Sequence, residues 1–321
     1  MPILNNSTYS PSLLFKNKHF NTAYRALFSK SQVSFKRNRL ELNDGDFIDL
    51  DISSINANKL VIAIHGLEGS AESSYILSLT NVLNEHNFDV IALNLRGCSG
   101  EQNRLLSSYH SGKTEDLVSI IEYINNEYDY KEIHIVGYSL GGNLTLKYMG
   151  EENVSSKVKS AVGVSVPCSL RDTAIQMNSM SNRLYLNKFL NSLELKTLEK
   201  LEKFPDSFLT TASIKSAKTF KDFDDLYTAP AHGFKNAEDY WQRSSCKQFV
   251  PNITTPTLLI TSLDDPFFGA ECYPFKEAKN NNYFFMEATK YGGHVGFGTH
   301  LNTVKNTWCE HRILSFLTQQ K

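Results

Sequence analysis

The chain has 321 residues, which suits one large α/β domain with an insertion or two small domains. Its hydrophobic fraction of 41% can fill a sizeable core, and 33 Lys plus Arg against 34 Asp plus Glu leave a net charge of −1. A near-neutral chain carries no electrostatic footprint for nucleic acid or for an acidic membrane surface.

The N-terminus, Met1-Pro2-Ile3-Leu4-Asn5-Asn6, has no basic region followed by an apolar stretch, so no secretory signal is expected. Residues 1–34 are polar and aromatic without a clear period, and are expected to wrap the domain surface. Two strand-like runs follow, Ser34–Leu42 and Phe47–Ile52, and the Asp44-Gly45 between them signals a hairpin. The chain then alternates. Leu60–Ile64 reads as a buried strand, Ser74–Glu85 as a helix, Asp89–Leu95 as a strand and Thr114–Glu127 as a helix with Thr114 at its N-cap. Ile133–Val136 and Ala161–Val166 are the next strands. Repeated βαβ units predict a parallel sheet wrapped by right-handed crossovers.

From about Pro167 to Val250 the alternation stops, and the segment is helical in character, with an amphipathic stretch at Ser192–Lys203. Strand signals return at Pro256–Ser262 and Tyr283–Glu287, ahead of a final helix from about Thr303 to Leu317. The expected architecture is an α/β core of residues 1–166 plus 251–321, interrupted by a helical cap over residues 167–250. No window approaches 18 uninterrupted apolar residues, so no integral membrane segment is expected. Five scattered cysteines, Cys98, Cys168, Cys246, Cys272 and Cys309, include no Cys-x-x-Cys pair. That argues against a disulfide framework and a zinc site, and for a reducing, cytoplasmic setting.

The most informative stretch is Gly137-Tyr138-Ser139-Leu140-Gly141, a Gly-x-Ser-x-Gly between a strand and a helix-forming run. Strand, sharp turn and helix is the context of a nucleophile elbow. A serine hydroxyl needs a base in hydrogen-bond reach and a carboxylate to orient that base. The acid stands after the strand Leu258–Ser262, in Leu263-Asp264-Asp265-Pro266-Phe267. Counting three residues on from Thr261 favours Asp264, with Asp265 the runner-up. The histidine stands in Tyr291-Gly292-Gly293-His294-Val295-Gly296-Phe297, whose glycines let the loop bring an imidazole to the serine. His300 and His311, near a helix start and inside it, read as surface or packing residues. An oxyanion hole needs two backbone N–H donors, and Leu140 and Leu67 are the candidates. Leu67 follows the strand that ends in His65-Gly66, where His65 reads as a structural histidine of the loop.

His65-Gly66-Leu67-Glu68-Gly69-Ser70, Asn94-Leu95-Arg96-Gly97-Cys98-Ser99-Gly100, Tyr109-His110-Ser111-Gly112, the serine motif, Asp264-Asp265-Pro266-Phe267 and Gly292-Gly293-His294-Val295-Gly296-Phe297 occur in this order over about residues 60–300. In these motifs the chain resembles the YheT-like branch of the α/β-hydrolase superfamily. His19-Phe20-Asn21-Thr22 is a further, less sharp point of likeness. The resemblance implies an α/β-hydrolase fold: a mostly parallel sheet with helices on both faces and an inserted helical cap. It also implies a carboxyl-ester hydrolase with Ser139, Asp264 and His294 as its triad. Eukaryotic relatives act on acylglycerols or phospholipids and usually carry an N-terminal membrane anchor; without one, this chain looks like the bacterial kind.

Arg96 is expected to pair with a carboxylate in the loop network rather than with an acidic substrate, and Tyr109-His110-Ser111 to brace a loop. Cys98 reads as a small buried residue. Tyr240 and Trp241, in the cap, could line an acyl pocket or simply pack in the core. The expected reaction uses an acyl-enzyme on Ser139, needs no metal or organic cofactor, and takes a small-molecule ester. An acyltransferase or a thioesterase would share the triad, and a non-catalytic binding protein would share the fold. The natural substrate and the oligomeric state are not written in these motifs.

Overall fold

Alternation of side chains across a strand decides how this chain layers. In a computed structural model that describes residues 2–28, 31–151, 154–301 and 308–319, the apolar runs form an eight-stranded sheet. Its strands are β1 (Lys36–Glu41), β2 (Phe47–Ser53), β3 (Lys59–Ile64), β4 (Asp89–Asn94), β5 (Glu132–Tyr138), β6 (Val158–Val164), β7 (Thr257–Ser262) and β8 (Phe284–Thr289). They lie in the order β1-β2-β4-β3-β5-β6-β7-β8. β1 and β2 form the expected hairpin, turning at Gly45 with φ 85°. β2 pairs antiparallel with β4, and every later pairing is parallel.

Leu60, Ile62 and Ile64 face one core, and Val61 and Ala63, between them, face the other. Both faces are therefore buried, which is why the central strands read as unbroken apolar runs. Helices α3 (Thr114–Glu127) and α4 (Leu140–Met149) cover the first face, with Leu117, Ile120, Ile124 and Leu144 turned inward. Helix α2 (Ser74–Asn84) and the C-terminal helix Trp308–Thr318 cover the second through Ile76, Leu79, Val82, Ile313 and Phe316. The expected Thr303 start of that last helix lies outside the described residues.

Two local expectations need correcting. Thr114 is the first helical residue rather than the N-cap, and its hydroxyl accepts a hydrogen bond from Lys147 Nζ at 3.0 Å. The N-terminal segment is not merely a wrap, because α1 (Lys18–Phe28) forms within it. Asn17 starts that helix: its Oδ1 accepts the N–H groups of His19 and Phe20, both at 3.0 Å.

Between β6 and β7 the regular elements are helical, among them α5 (Leu170–Met177), α6 (Arg183–Lys203) and a helix at Ala237–Ser244. These helices build their own apolar cluster, with Met177, Leu186, Leu190 and Tyr227 packed against Phe267 and Phe268 of the loop after β7. All five cysteines are free and buried. No helix among the described residues is long and apolar enough to cross a membrane.

Candidate active site

Ser139 stands between the end of β5 and the start of α4 at φ 52°, ψ −118°, a backbone conformation that few residues adopt. The turn is tight enough to demand glycine around it. A Cβ on Gly137 would lie 2.2 Å from the Gly141 carbonyl oxygen, and one on Gly141 would lie 2.5 Å from that of His65. These contacts press the elbow against the loop after β3, where a Cβ on Gly66 would sit 3.1 Å from the Ser139 Cβ.

His294 meets this serine from the loop after β8. Its Nε2 lies 2.9 Å from Ser139 Oγ, and its Nδ1 lies 2.8 Å from Asp265 Oδ2. A carboxylate only accepts, so Nδ1 carries the proton and Nε2 is left to accept from the serine hydroxyl. Asp265 is fully enclosed and is fixed by the Phe267 N–H, which donates to its Oδ1 at 2.9 Å. Burial pushes the Asp265 carboxyl up from its ordinary range, and His294 counteracts that rise.

The favoured acid of the sequence analysis therefore needs correcting. Asp264 does not touch the imidazole; its Oδ1 accepts the Gly293 N–H at 2.9 Å and so supports the histidine loop. β7 ends at Ser262, as expected, and three residues on from its last residue is Asp265 rather than Asp264.

Leu67 and Leu140 flank the serine on the β3 loop and at the first position of α4. A helix's first N–H groups have no partner within the helix, and they carry the positive end of its dipole. The β3 loop is tightly held. Tyr75 OH accepts the Gly66 N–H at 2.9 Å. His65 is sealed in: Nε2 accepts from the Leu95 N–H at 3.1 Å and Nδ1 lies 2.7 Å from the Gly66 carbonyl oxygen. Burial pushes its imidazole down to about 4, so it stays neutral. Glu68, at φ 55°, takes its main-chain support from Tyr109 OH at 3.0 Å. The Glu68 carboxylate accepts from Tyr109 OH, and from Ser192 and Lys196 of α6.

The remaining candidates find structural partners. Arg96 forks onto Asp116 at 2.6 and 2.8 Å and reaches Asp44 and Asp46. Cys98 lies against Lys196, with burial raising its thiol to about 11. Tyr240 and Trp241 are buried in a small cluster with Leu170, Ala174 and Ala237. Tyr240 OH accepts the Ser111 N–H at 3.1 Å, and Trp241 Nε1 donates to Asp224 at 2.7 Å. Both side chains are thus spoken for within the fold.

The apolar wall beside the histidine comes instead from residues that the sequence analysis did not single out. The Phe267 ring is 4.3 Å from the His294 ring and the Phe268 ring 5.4 Å from it. Tyr185 of α6 packs edge-on to Phe267 at 5.0 Å. The signal was the pair of aromatics directly after the Asp-Asp-Pro turn.

Residues 59–301 match the model of a family described as "alpha/beta hydrolase fold". The chain is 36% identical over 319 residues to "Putative esterase YheT" of Escherichia coli, covering 97% of this chain and 93% of that protein. It is 30% identical over 258 residues to a monoacylglycerol lipase of Saccharomyces cerevisiae, covering 78% of this chain and 57% of that protein. Among solved structures, the esterase Pf2001 of Pyrococcus furiosus aligns with a TM-score of 0.61 at 17% identity, covering 89% of this chain and 91% of that one. At that identity the likeness is one of fold.

Proposed function

The chain belongs to the α/β-hydrolase family, in its YheT-like branch, and is a carboxylic ester hydrolase; we propose that it works through a Ser139–His294–Asp265 triad and an acyl-enzyme. The observation that carries this reading is the continuous relay of 2.9 and 2.8 Å hydrogen bonds from a serine held at a strained elbow. Ser139 Oγ attacks the ester carbonyl while His294 Nε2 takes its proton. Asp265 holds the tautomer that leaves Nε2 free and offsets the charge of the imidazolium. The Leu67 and Leu140 N–H groups stabilise the oxyanion. His294 then returns the proton to the leaving alcohol, and water, activated by the same imidazole, releases the acid.

The substrate is an ester with an apolar acyl group, which Phe267, Phe268 and the apolar cluster of the cap would accept. The test is p-nitrophenyl ester hydrolysis by Ser139→Ala, together with a fluorophosphonate probe and location of the modified peptide. The variant is expected to stay folded and lose turnover and labelling alike. Unchanged activity, or a label elsewhere, would sink the assignment.

A further inference from the structure

A relay of three side chains works only if the histidine loop holds still, and this loop is strained. Gly293 sits at φ 59°, Val295 at 58° and Phe297 at 47°. Positive φ is costly for a β-branched or aromatic residue and persists only where the surroundings over-determine it. The supports around His294 come from three directions. From the sheet side, Asp264 accepts the Gly293 N–H at 2.9 Å and Ser165 Oγ accepts the Val295 N–H at 3.0 Å. Within the loop, the Phe297 N–H reaches the Gly292 carbonyl at 3.0 Å. Ser262 Oγ also donates to the Gly293 carbonyl at 2.8 Å, and a further set of supports comes from α1, a helix remote in sequence with no part in the chemistry above.

Thr22 Oγ1 accepts the main-chain N–H of His294 itself at 2.8 Å. That hydroxyl donates its own proton to the Lys18 carbonyl at 2.7 Å, so its free lone pairs are turned toward the loop. Next to it, Asn21 Oδ1 accepts the Gly298 N–H at 2.9 Å. The Asn21 amide is aimed by donating to the Phe15 carbonyl at 2.7 Å and to Tyr9 OH at 2.9 Å, and Tyr9 OH closes the circuit on the Gly298 carbonyl at 2.7 Å. The two surfaces touch without slack. A Cβ on Gly293 would lie 2.5 Å from the Lys18 carbonyl oxygen, and one on Gly296 would lie 2.4 Å from Asn21 Oδ1. Farther along α1, Arg25 is buried and pairs with Glu310 of the C-terminal helix, which anchors the brace to the core.

We propose that α1 sets the position of His294, with Thr22 and Asn21 as positioning residues. The proposal rests on the reading of His294 as the general base. Neither residue touches substrate. Loosening them displaces the imidazole between Ser139 and Asp265 and leaves the acyl wall at Phe267 and Phe268 in place.

The experiment compares full-length Thr22→Val, Thr22→Ser and Gly296→Ala with the wild type and Ser139→Ala, using p-nitrophenyl butyrate. Valine keeps the shape of threonine and removes the acceptor. A displacement of the order of an ångström costs about 100-fold in rate, so Thr22→Val should lose roughly 10- to 100-fold in kcat with KM nearly unchanged. The acidic limb of its kcat/KM profile, which reports the free enzyme's base, should shift as well. Thr22→Ser, which keeps the hydroxyl, should recover most of both. Gly296→Ala pushes the loop away from Asn21, the other positioning residue, and carries the test if Thr22→Val does not fold. Wild-type kcat and pH profile in the folded variants, with Ser139→Ala inactive, would overturn the positioning role alone. An active Ser139→Ala would overturn the underlying mechanism, and the positioning role with it.

Discussion

Replacing each of the two adjacent aspartates by asparagine should produce very unequal enzymes. In Asp265→Asn, the Phe267 N–H that now donates to Oδ1 at 2.9 Å will hold the amide oxygen in the same place. The new NH2 group then faces His294 Nδ1, where Oδ2 now accepts at 2.8 Å. An amide that donates forces Nδ1 to accept and moves the imidazole proton to Nε2, which points at Ser139. Under the proposed mechanism the base is then lost to the wrong tautomer, and so is the carboxylate that stabilises the imidazolium. A loss of this kind amounts to about 10,000-fold in kcat, or about 5 kcal/mol of transition-state stabilisation. In Asp264→Asn, the amide oxygen can still accept the Gly293 N–H, so the loss should stay under about tenfold, or about 1 kcal/mol. Steady-state hydrolysis of p-nitrophenyl butyrate measures both, with circular dichroism to confirm folding. Comparable losses, or a larger loss in Asp264→Asn, would refute the reasoning.

Two other outcomes follow from burial and packing. His134 is enclosed beside Ser160, and burial pushes its imidazole down to about 4 from an ordinary 6.5. As pH falls below 6.5 the unfolded chain takes up a proton that the native chain refuses, so stability drops until the folded value near 4 is reached. His134→Gln should therefore flatten the pH dependence of urea unfolding by about 1.4 kcal/mol per pH unit in that window, and identical slopes in the two proteins would contradict it. Gly141→Ala should destabilise the protein by about 1–3 kcal/mol through overpacking, despite alanine's better helix propensity, because its Cβ meets two carbonyl oxygens at 2.5 and 2.6 Å. A raised melting temperature would count against that elbow geometry.

The sheet, its hairpin and the elbow were legible because their causes are local. The apolar runs Leu60–Ile64 and Leu258–Ile260, each short and bounded by turn signals, read as strands covered on both faces, and Gly137 answers a clash with Gly141 only four residues on. His294 stood out because two glycines directly precede it, although what Gly293 makes room for, the Lys18 carbonyl of α1, is remote in sequence. Asp265 was not legible, because two adjacent aspartates follow β7, and which one meets the imidazole and which the Gly293 N–H is decided by how two loops 29 residues apart pack together. The roles of Tyr240 and Trp241 were hidden for a different reason. What they touch, Ser111 and Asp224, is decided by tertiary packing across 129 and 17 residues of sequence. Helix α1 is hidden among polar and aromatic residues without a clear period, and its start is marked only by the Asn17 side chain.

The carboxylate of Glu68 has a bearing on how such enzymes can be re-engineered. It projects from the loop that carries Leu67 and is gripped by Ser192 and Lys196 of α6. Helices grafted between β6 and β7 from a relative would carry no guarantee of those two sockets. Chimeras that omit them would leave the Glu68 side chain buried without its cation and unsettle the loop after β3. Poor turnover in such hybrids would then be a fault of the joint, and restoring a serine and a lysine at the matching positions of the graft would be the first repair to make.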